Sequence, residues 1–372
     1  MSSGQQPVEP APERRLILVT SIGRSGTSLL TSILGQLGVR IPQPEVLADD
    51  TNPKGFGEPR WVVDLHAPLL RTARVTVWDS RPAAFSNAAA AAEGPDVLEQ
   101  LKAWLSVQFV GTDTVVVKDP RIAWFLPLWE RCAAELGIGV CYVSTLRHPA
   151  EAVRSAVTWY GTWQNDASRT AGWLNVTLHA EQATRPAPRV FVAYESLLTD
   201  WSTQIERVEE ALGVPLLRDV PDATRAQVDA FVDPSLHRSK VSWADLAVPS
   251  HVERLAEQVW EHTRALAEPG GDSEHTRAEL DEARSAYALM YAEAEQVAQS
   301  SIVAVKPRKK KQAVTPSAQE SAATRGARPV IRANGKTPRR IPQLRAVARV
   351  LPPAVRRQAR RVVTKARRTV RR

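Results

Sequence analysis

The sequence predicts an α/β fold: a mostly parallel sheet flanked by helices, with a C-terminal helical segment and a disordered basic tail. Apolar runs of strand length alternate with helix-length segments along the first two thirds of the chain, and that order favours a parallel sheet covered by helices. Each run is continuously apolar or β-branched, as expected of strands buried on both faces. No two-residue hairpin signal joins any pair of runs.

The predicted elements follow in a regular order. The first strand covers 16–22, and a helix over 27–37 ends before Gly38. Apolar residues at three- and four-residue spacing predict the later helices. The other predicted strands are 114–118, 139–146 and 190–194, and the other predicted helices in this part are 97–110, 124–136, 150–159 and 196–212. Ligands of such sheets bind at the carboxyl ends of the strands.

Composition divides the chain into four parts: a disordered leader (1–14), an α/β domain (15–250), C-terminal helices (251–298) and a basic tail (299–372). The sequence Pro-Gly-Gly-Asp at 269–272 separates two helices, and the second covers about 274–297. We expect this second helix to dock on the domain rather than to form a coiled coil, because it lacks four heptads.

The basic charge of the chain belongs to its tail. Residues 301–372 contain 22 lysines and arginines and one acidic residue, Glu320, although the whole chain carries only +9. Without Phe, Trp or Tyr, this segment cannot bury enough apolar surface to fold alone. Residues 339–372 place apolar residues near helical spacing against a basic face, which predicts binding to an anionic membrane. Non-specific nucleic-acid binding and docking on a partner or on the acidic body are the alternatives.

We expect a cytoplasmic protein, peripheral at the inner membrane face through this tail. No run approaches the roughly 18 apolar residues of a spanning helix, and the leader lacks the features of a secretory signal. Cys132 and Cys141 are too few for a disulfide framework or a zinc cage. No specific nucleic acid is expected, because the tail has no aromatic side chains for base stacking.

The first strand leads into a glycine-containing loop, Gly23-Arg24-Ser25-Gly26-Thr27-Ser28, and then into a helix. Such a loop lets backbone N–H groups and a helix N-terminus point at an anion. It differs from the loop of nucleoside triphosphatases because its glycines are three apart and Thr27 stands at the lysine position. We interpret it as a phosphate cradle; the alternative is a tight turn that binds nothing.

A second group of candidate ligand-binding residues follows the strand 139–146. Arg147 leaves the strand end, Pro149 fits a first helical turn, and Ser155 follows about two turns later. A guanidinium binds phosphate bidentately, and a nearby hydroxyl adds another donor. Taken alone, the pattern also fits a surface arginine beside a helix cap.

Together with Lys118-Asp119-Pro120-Arg121 after the middle strand, these two motifs resemble the sulfotransferases that use 3′-phosphoadenylyl sulfate (PAPS). The resemblance covers about 16–240 and fades between about 71 and 111. It implies a P-loop-like fold and PAPS as the sulfuryl donor. We expect no metal, because side chains supply the cations. The resemblance also implies the donor-binding residues: the 5′ loop Gly23, Arg24, Ser25, Gly26, Thr27 and Ser28, the 3′-phosphate residues Arg147 and Ser155, Tyr194 against adenine, and Arg238 and Lys240 in a late basic loop.

Sulfuryl transfer to a hydroxyl needs a base near the proton and cations near the developing charge. The stretch at Lys118 resembles the protein-tyrosine and bacterial branches, in which a glutamate on a separate segment is the base. Glu58 is the matching residue here, with Asp119, Asp64 and His66 as alternatives. The resemblance gives Arg24 and Lys118 the role of stabilising the transferring group.

We therefore expect a sulfotransferase that acts on a hydroxyl, with a glycan or glycolipid of the cell envelope as the expected acceptor. Trp159, Trp163 and Trp173 follow the second motif and suit stacking on a sugar, although core packing is the commoner role of such residues. The alternatives are a P-loop kinase and a non-catalytic adaptor that works through the basic tail. The kinase alternative leaves Arg147 and Ser155 without a 3′-phosphate to bind.

Overall fold

The computed structural model describes residues 14–161, 163–233, 235 and 241–301. Its centre is a four-stranded parallel sheet in the order β2-β1-β3-β4. The strands are β1 Arg15–Val19, β2 Thr114–Lys118, β3 Gly139–Leu146 and β4 Arg189–Ala193. The predicted α/β class and parallel sheet are confirmed. Val19, the last residue of β1, is in register with Lys118 of β2 and Val143 of β3, so the strand ends meet at one edge.

Helices cover both faces of the sheet. Those in the described part are α1 Thr27–Gln36, α2 Arg60–Ala73, α3 Ala84–Ala92, α4 Pro95–Gln108, α5 Leu126–Glu135, α6 Pro149–Tyr160, α7 Asp166–Ala183, α8 Tyr194–Thr199, α9 Trp201–Leu212, α10 Asp222–Phe231, α11 Ser250–Leu266 and α12 Glu274–Val297. Across these described residues, no helix combines the length and the apolar character needed to cross a membrane.

Two predicted elements need correction. The strand predicted over 16–22 ends at Val19, and its last residues enter the loop that follows. The single helix predicted over 196–212 is two helices, α8 and α9, because Asp200 leaves the helical conformation with φ −152°. The Asp200 carboxylate accepts a hydrogen bond from the backbone N–H of Thr203 at 3.1 Å and thereby caps α9.

Four helices, α2, α3, α7 and α10, were not predicted from the sequence. Helix α7 is the instructive case, because polar residues such as Arg169, Asn175 and Glu181 are buried on it together with Trp173 and Leu174. A helix buried on most of its sides has no polar face, so the amphipathic pattern on which prediction depends is absent.

The sheet separates two apolar cores. Leu16 and Leu18 of β1 belong to the core beneath α2–α7, α11 and α12. Ile17 and Val19 belong to the core beneath α1, α9 and α10. Alternate side chains of a strand point to opposite faces, which is why a continuously apolar run fills both cores. Cys132 and Cys141 lie in these cores, and burial raises the pKa of each thiol to about 12.

The C-terminal helices α11 and α12 pack against each other and against α7. Leu280, Ala283 and Tyr287 of α12 are buried, as expected of a docked helix. Arg185, in the turn just after α7, donates to Glu181 of α7 at 2.7 Å and to Asp281 of α12 at 2.9 Å. The predicted basic tail beyond Ser301, including 339–372, lies outside the described residues.

Candidate active site

A cavity of about 180 Å³ opens at the carboxyl ends of the strands, where ligands of parallel sheets bind. The 23–28 loop, the segment 51–58 before α2, the turn after β2, helix α6 and the start of α8 surround it. The predicted site residues that line it are Gly23, Arg24, Gly26, Thr27, Ser28, Glu58, Lys118, Arg147, Ser155 and Tyr194.

Among the described residues, one predicted site residue, Ser25, is not in this lining. Ser25 is buried below the loop and faces a separate small cavity that is lined mostly by hydroxyl-bearing and apolar side chains. Ser25 can therefore contribute its backbone to the loop, while its side chain points away from the main cavity. Arg238 and Lys240, predicted in a late basic loop, lie outside the described residues.

The 23–28 loop is folded tightly against α8. Arg24 and Gly26 both have positive φ, 75° and 93°, and this region is costly for residues other than glycine. A Cβ on Gly26 would lie 2.3 Å from Cδ2 of Tyr194, so only glycine lets the tyrosine ring approach the loop. Helix α1 starts at Thr27 without a capping side chain in the described structure. Its first N–H groups are thus suited to an anionic ligand.

The two arginines of the site are held by α6 and by each other. Arg24 Nε donates to Ser155 Oγ at 3.0 Å, and its guanidinium lies 6.0 Å from the ring centre of Trp159. Arg147 Nη1 donates to the carbonyl of Arg24 at 3.2 Å, while its Nε donates to Glu151 at 2.9 Å. The loop motif and the Arg147/Ser155 motif, predicted separately, therefore form one continuous surface.

Lys118 and Glu58 form the buried charge pair of the cavity. Lys118 Nζ lies 2.6 Å from Glu58 Oε1, and the two side chains are only 4% and 11% exposed. The same ammonium donates to the carbonyl of Phe56 at 3.0 Å and to Ser28 Oγ at 3.4 Å. Both members of the pair line the cavity, so a ligand bound there can contact either charge.

The alternative bases are engaged elsewhere. Asp64 forms an exposed ion pair with Arg60 on α2. His66 and Asp119 form a fully buried pair at 2.9 Å, and Trp129 Nε1 donates to His66 Nε2 at 3.0 Å, so the imidazole proton points from Nδ1 to Asp119. Burial acts to raise the pKa of Asp119, but the hydrogen bond from His66 and the charge of Arg121 outweigh it and lower the pKa. None of these three residues lines the cavity.

The segment that carries Glu58 is tied across the cavity by contacts that the sequence did not predict. Asn52 Nδ2 donates to Ser28 Oγ at 3.1 Å. Lys54 Nζ donates to the carbonyl of Phe231, the last residue of α10, at 2.5 Å, and lies 4.7 Å from the centre of its ring. These contacts join positions far apart in sequence, and α10 itself was not predicted, so no local signal could have indicated them.

The three tryptophans proposed for acceptor stacking lie in different environments. Trp159 lines the cavity, and Trp163 is 65% exposed just beyond the end of α6. Trp173 is buried in the core, which removes it from acceptor stacking and fits the core-packing alternative. The next residue after Trp159, Tyr160, also lines the cavity and was not predicted as a site residue.

Residues 17–219, more than half of the chain, match the model of the Sulfotransferase family. Among solved structures, the chain is similar to the sulfotransferase domain of the Synechococcus PCC 7002 olefin synthase, with 18% identity and a TM-score of 0.39 over 68% of this chain and 98% of that one. The sulfotransferase domain of the curacin biosynthetic pathway gives 16% identity and a TM-score of 0.38 over 67% and 98%. No curated protein matches the chain.

Proposed function

Because this chain belongs to the sulfotransferase family, we propose that it transfers a sulfuryl group from PAPS to a hydroxyl of its acceptor. The observation that supports this reaction is a single cavity lined by the 23–28 loop, the Arg147/Ser155 motif and the Lys118–Glu58 pair. Phosphate recognition, cations for the transferring group and a carboxylate for the acceptor proton are thus within one site.

The residues fit a donor with two anionic ends. The loop N–H groups and Arg24 suit the 5′-phosphosulfate, since a helix N-terminus and a guanidinium both favour anions. Arg147 and Ser155 suit a 3′-phosphate. The Tyr194 ring, packed under the Arg147 guanidinium at 5.0 Å and against Gly26, suits a flat base. When bound, PAPS supplies an activated sulfuryl group.

Glu58 acts as the base in this proposal. Its Oε1 accepts from Lys118, so its second oxygen is the atom that takes the acceptor proton. Lys118, beside both Glu58 and Ser28 of the loop, supplies positive charge where negative charge develops on the donor. Side-chain cations provide this stabilisation, so the proposed reaction uses no metal.

We propose a glycan or glycolipid of the cell envelope as the acceptor and the cytoplasm as the location of the enzyme. Trp159 in the cavity and the exposed Trp163 support a sugar acceptor, because flat aromatic faces pack well on sugar rings. Aromatic residues near a cavity also accept other apolar ligands, so a screen of hydroxyl-bearing acceptors should include lipids and phenols beside glycans.

Calorimetric titration of the full chain with adenosine 3′,5′-bisphosphate tests the donor assignment, with adenosine 5′-monophosphate and ATP as comparison ligands. We expect micromolar or tighter binding of the bisphosphate and much weaker binding of the monophosphate. Equal binding of the two adenosine phosphates would contradict the 3′ site. Tighter binding of ATP than of the bisphosphate would favour the kinase alternative.

The basic segment 339–372 supports a second, separable proposal: binding to an anionic membrane surface. Each cationic residue near such a surface contributes about 1 kcal/mol of attraction. Co-sedimentation with phosphatidylserine vesicles should therefore weaken strongly when Arg356, Arg357, Arg360 and Arg361 are changed to Glu in the full chain. Equal sedimentation of both proteins would refute membrane binding, as would tighter binding to DNA of mixed sequence than to vesicles.

A further inference from the structure

Tyr160 occupies a position that neither the sequence motifs nor the family match explains. It is the last residue of α6 and comes directly before Gly161, whose φ of 81° ends the helix. Its ring is 45% exposed at the mouth of the cavity, yet its hydroxyl points inward. That oxygen lies 3.6 Å from the position of a Cβ on Gly23, at the start of the 23–28 loop and beside Pro120.

The phenolic oxygen lies among the groups of the proposed reaction. Burial raises the pKa of Tyr160; against this, the charge and hydrogen bond of Arg24 and the charge of Arg121 lower it, and the negative charge of Glu58 raises it further. The phenol is therefore protonated at neutral pH. A protonated phenol has its O–H available for donation to a ligand.

The direction of that proton follows from its neighbours. In the proposed function, Glu58 meets the acceptor hydroxyl and Arg24 meets the sulfuryl group, so the reacting atoms lie between these two side chains. Tyr160 lines the same cavity as both of them. A neutral donor at this place can bind a sulfuryl oxygen without adding a charge that would weaken Glu58 as a base, as a further cation would.

We propose that Tyr160 is a further catalytic residue, whose phenol donates a hydrogen bond to an oxygen of the sulfuryl group both in bound PAPS and during transfer. The inference rests on the proposed function and extends it. The phenol keeps its proton throughout, so no additional proton acceptor is needed. The contact is specific to the sulfuryl group, because the Tyr160 hydroxyl lies beside Gly23 of the 5′ loop, whereas the Arg147 guanidinium packs against Tyr194.

Comparing two ligands separates this role from a structural one. Adenosine 3′,5′-bisphosphate lacks the sulfuryl group, and PAPS carries it. Calorimetry on the full chain should show that Tyr160→Phe weakens PAPS binding by about tenfold, while bisphosphate binding stays within twofold of wild type. Tyr291→Phe on α12 removes a hydroxyl from a partly buried tyrosine away from the cavity and should change neither constant.

Two outcomes overturn the role of Tyr160 while the proposed function stands. In the first, Tyr160→Phe binds PAPS as tightly as wild type does. In the second, it loses affinity equally for both ligands, which identifies the phenol as a support for the loop alone. If the wild-type chain binds neither ligand, the proposed function fails, and the role of Tyr160 fails with it.

Discussion

Lys118 Nζ and Glu58 Oε1 lie 2.6 Å apart inside the ligand cavity, although 60 residues separate them along the chain. Lys118 is fixed at the carboxyl end of β2, whereas Glu58 belongs to the irregular segment before α2. The proposed base is thus positioned by the cation that would stabilise the transferring group.

Removing the charge of Glu58 should abolish transfer without removing the donor site. Glu58→Gln can still accept a hydrogen bond from Lys118 but cannot take the acceptor proton. We expect the transfer rate to fall by about 10²–10⁴-fold, with unchanged calorimetric binding of adenosine 3′,5′-bisphosphate. Asp64→Asn, which breaks an exposed ion pair on α2, is the matched control and should remain active. Full activity of Glu58→Gln would identify another group as the base.

The buried pair also predicts a distinctive pattern of stability. Lys118→Met leaves the Glu58 carboxylate buried without its partner, which should reduce the free energy of unfolding by about 3–5 kcal/mol. Urea unfolding should show that the double variant Lys118→Met/Glu58→Leu recovers most of this loss while it remains inactive. A double variant as unstable as the sum of its single variants would mean that the two charges act independently.

The 3′ site should discriminate between adenosine phosphates through Arg147. Charge-assisted hydrogen bonds contribute roughly 1.5–3 kcal/mol, so Arg147→Ala should weaken bisphosphate binding by about 10–100-fold and leave monophosphate binding nearly unchanged. Arg131→Ala removes an equivalent cation that pairs with Glu135 on the surface and serves as the control. A parallel loss for both nucleotides would show that Arg147 acts only by supporting the loop through the carbonyl of Arg24.

Gly26 is predicted to be essential for the contact between the loop and Tyr194. Gly26→Ala places a methyl group 2.3 Å from the tyrosine ring, so the loop or the ring must move, and bisphosphate affinity should fall by at least about tenfold. Gly38→Ala is a close control because Gly38 has a similar φ of 96° but no atom within 4 Å of the added methyl group. If calorimetry shows equal losses for the two variants, the strain of alanine at a positive φ, rather than the contact with Tyr194, explains the effect of Gly26→Ala.

His179 should make stability depend on pH. Burial, followed by the charge of Arg284, lowers the pKa of His179 to about 4 from 6.5. The neutral folded form is therefore favoured above pH 6.5, and its contribution is lost as the pH falls toward 4, since the unfolded chain binds the proton first. The full contribution is on the order of 3 kcal/mol, and about 2 kcal/mol of it is lost between pH 7 and pH 5.

Replacing His179 by phenylalanine keeps a ring against Phe85, on which His179 stacks at 3.4 Å. Urea unfolding should show that lowering the pH from 7 to 5 reduces the free energy of unfolding less in His179→Phe than in wild type. His275→Phe, at an exposed position on α12, is the control and should lose as much stability between pH 7 and pH 5 as wild type does. Identical pH dependence in His179→Phe and wild type would show that His179 does not cause the loss of stability at low pH.

The sequence by itself determined the sheet and the donor motifs. Strands buried on both faces are continuously apolar, and this pattern located β2 and β3 with their observed bounds. The glycines of the 23–28 loop and the Arg147/Ser155 spacing are likewise local features, because each concerns a single strand end and the helix that follows. The structure joins both motifs at one edge, as a parallel sheet requires.

Only the tertiary structure decided which side chains meet. Helix α7 could not be recognised because it is buried on most of its sides, and Trp173 on that helix packs in the core. The family resemblance favoured Glu58 as the base, but chemistry alone could not exclude Asp64, His66 and Asp119, because all four side chains are suitable. Packing separates them: it buries His66 against Asp119, leaves Asp64 on the surface, and brings Glu58 and Tyr160 to the cavity. Such contacts join residues distant in sequence, and their energies depend on the folded arrangement rather than on local propensity.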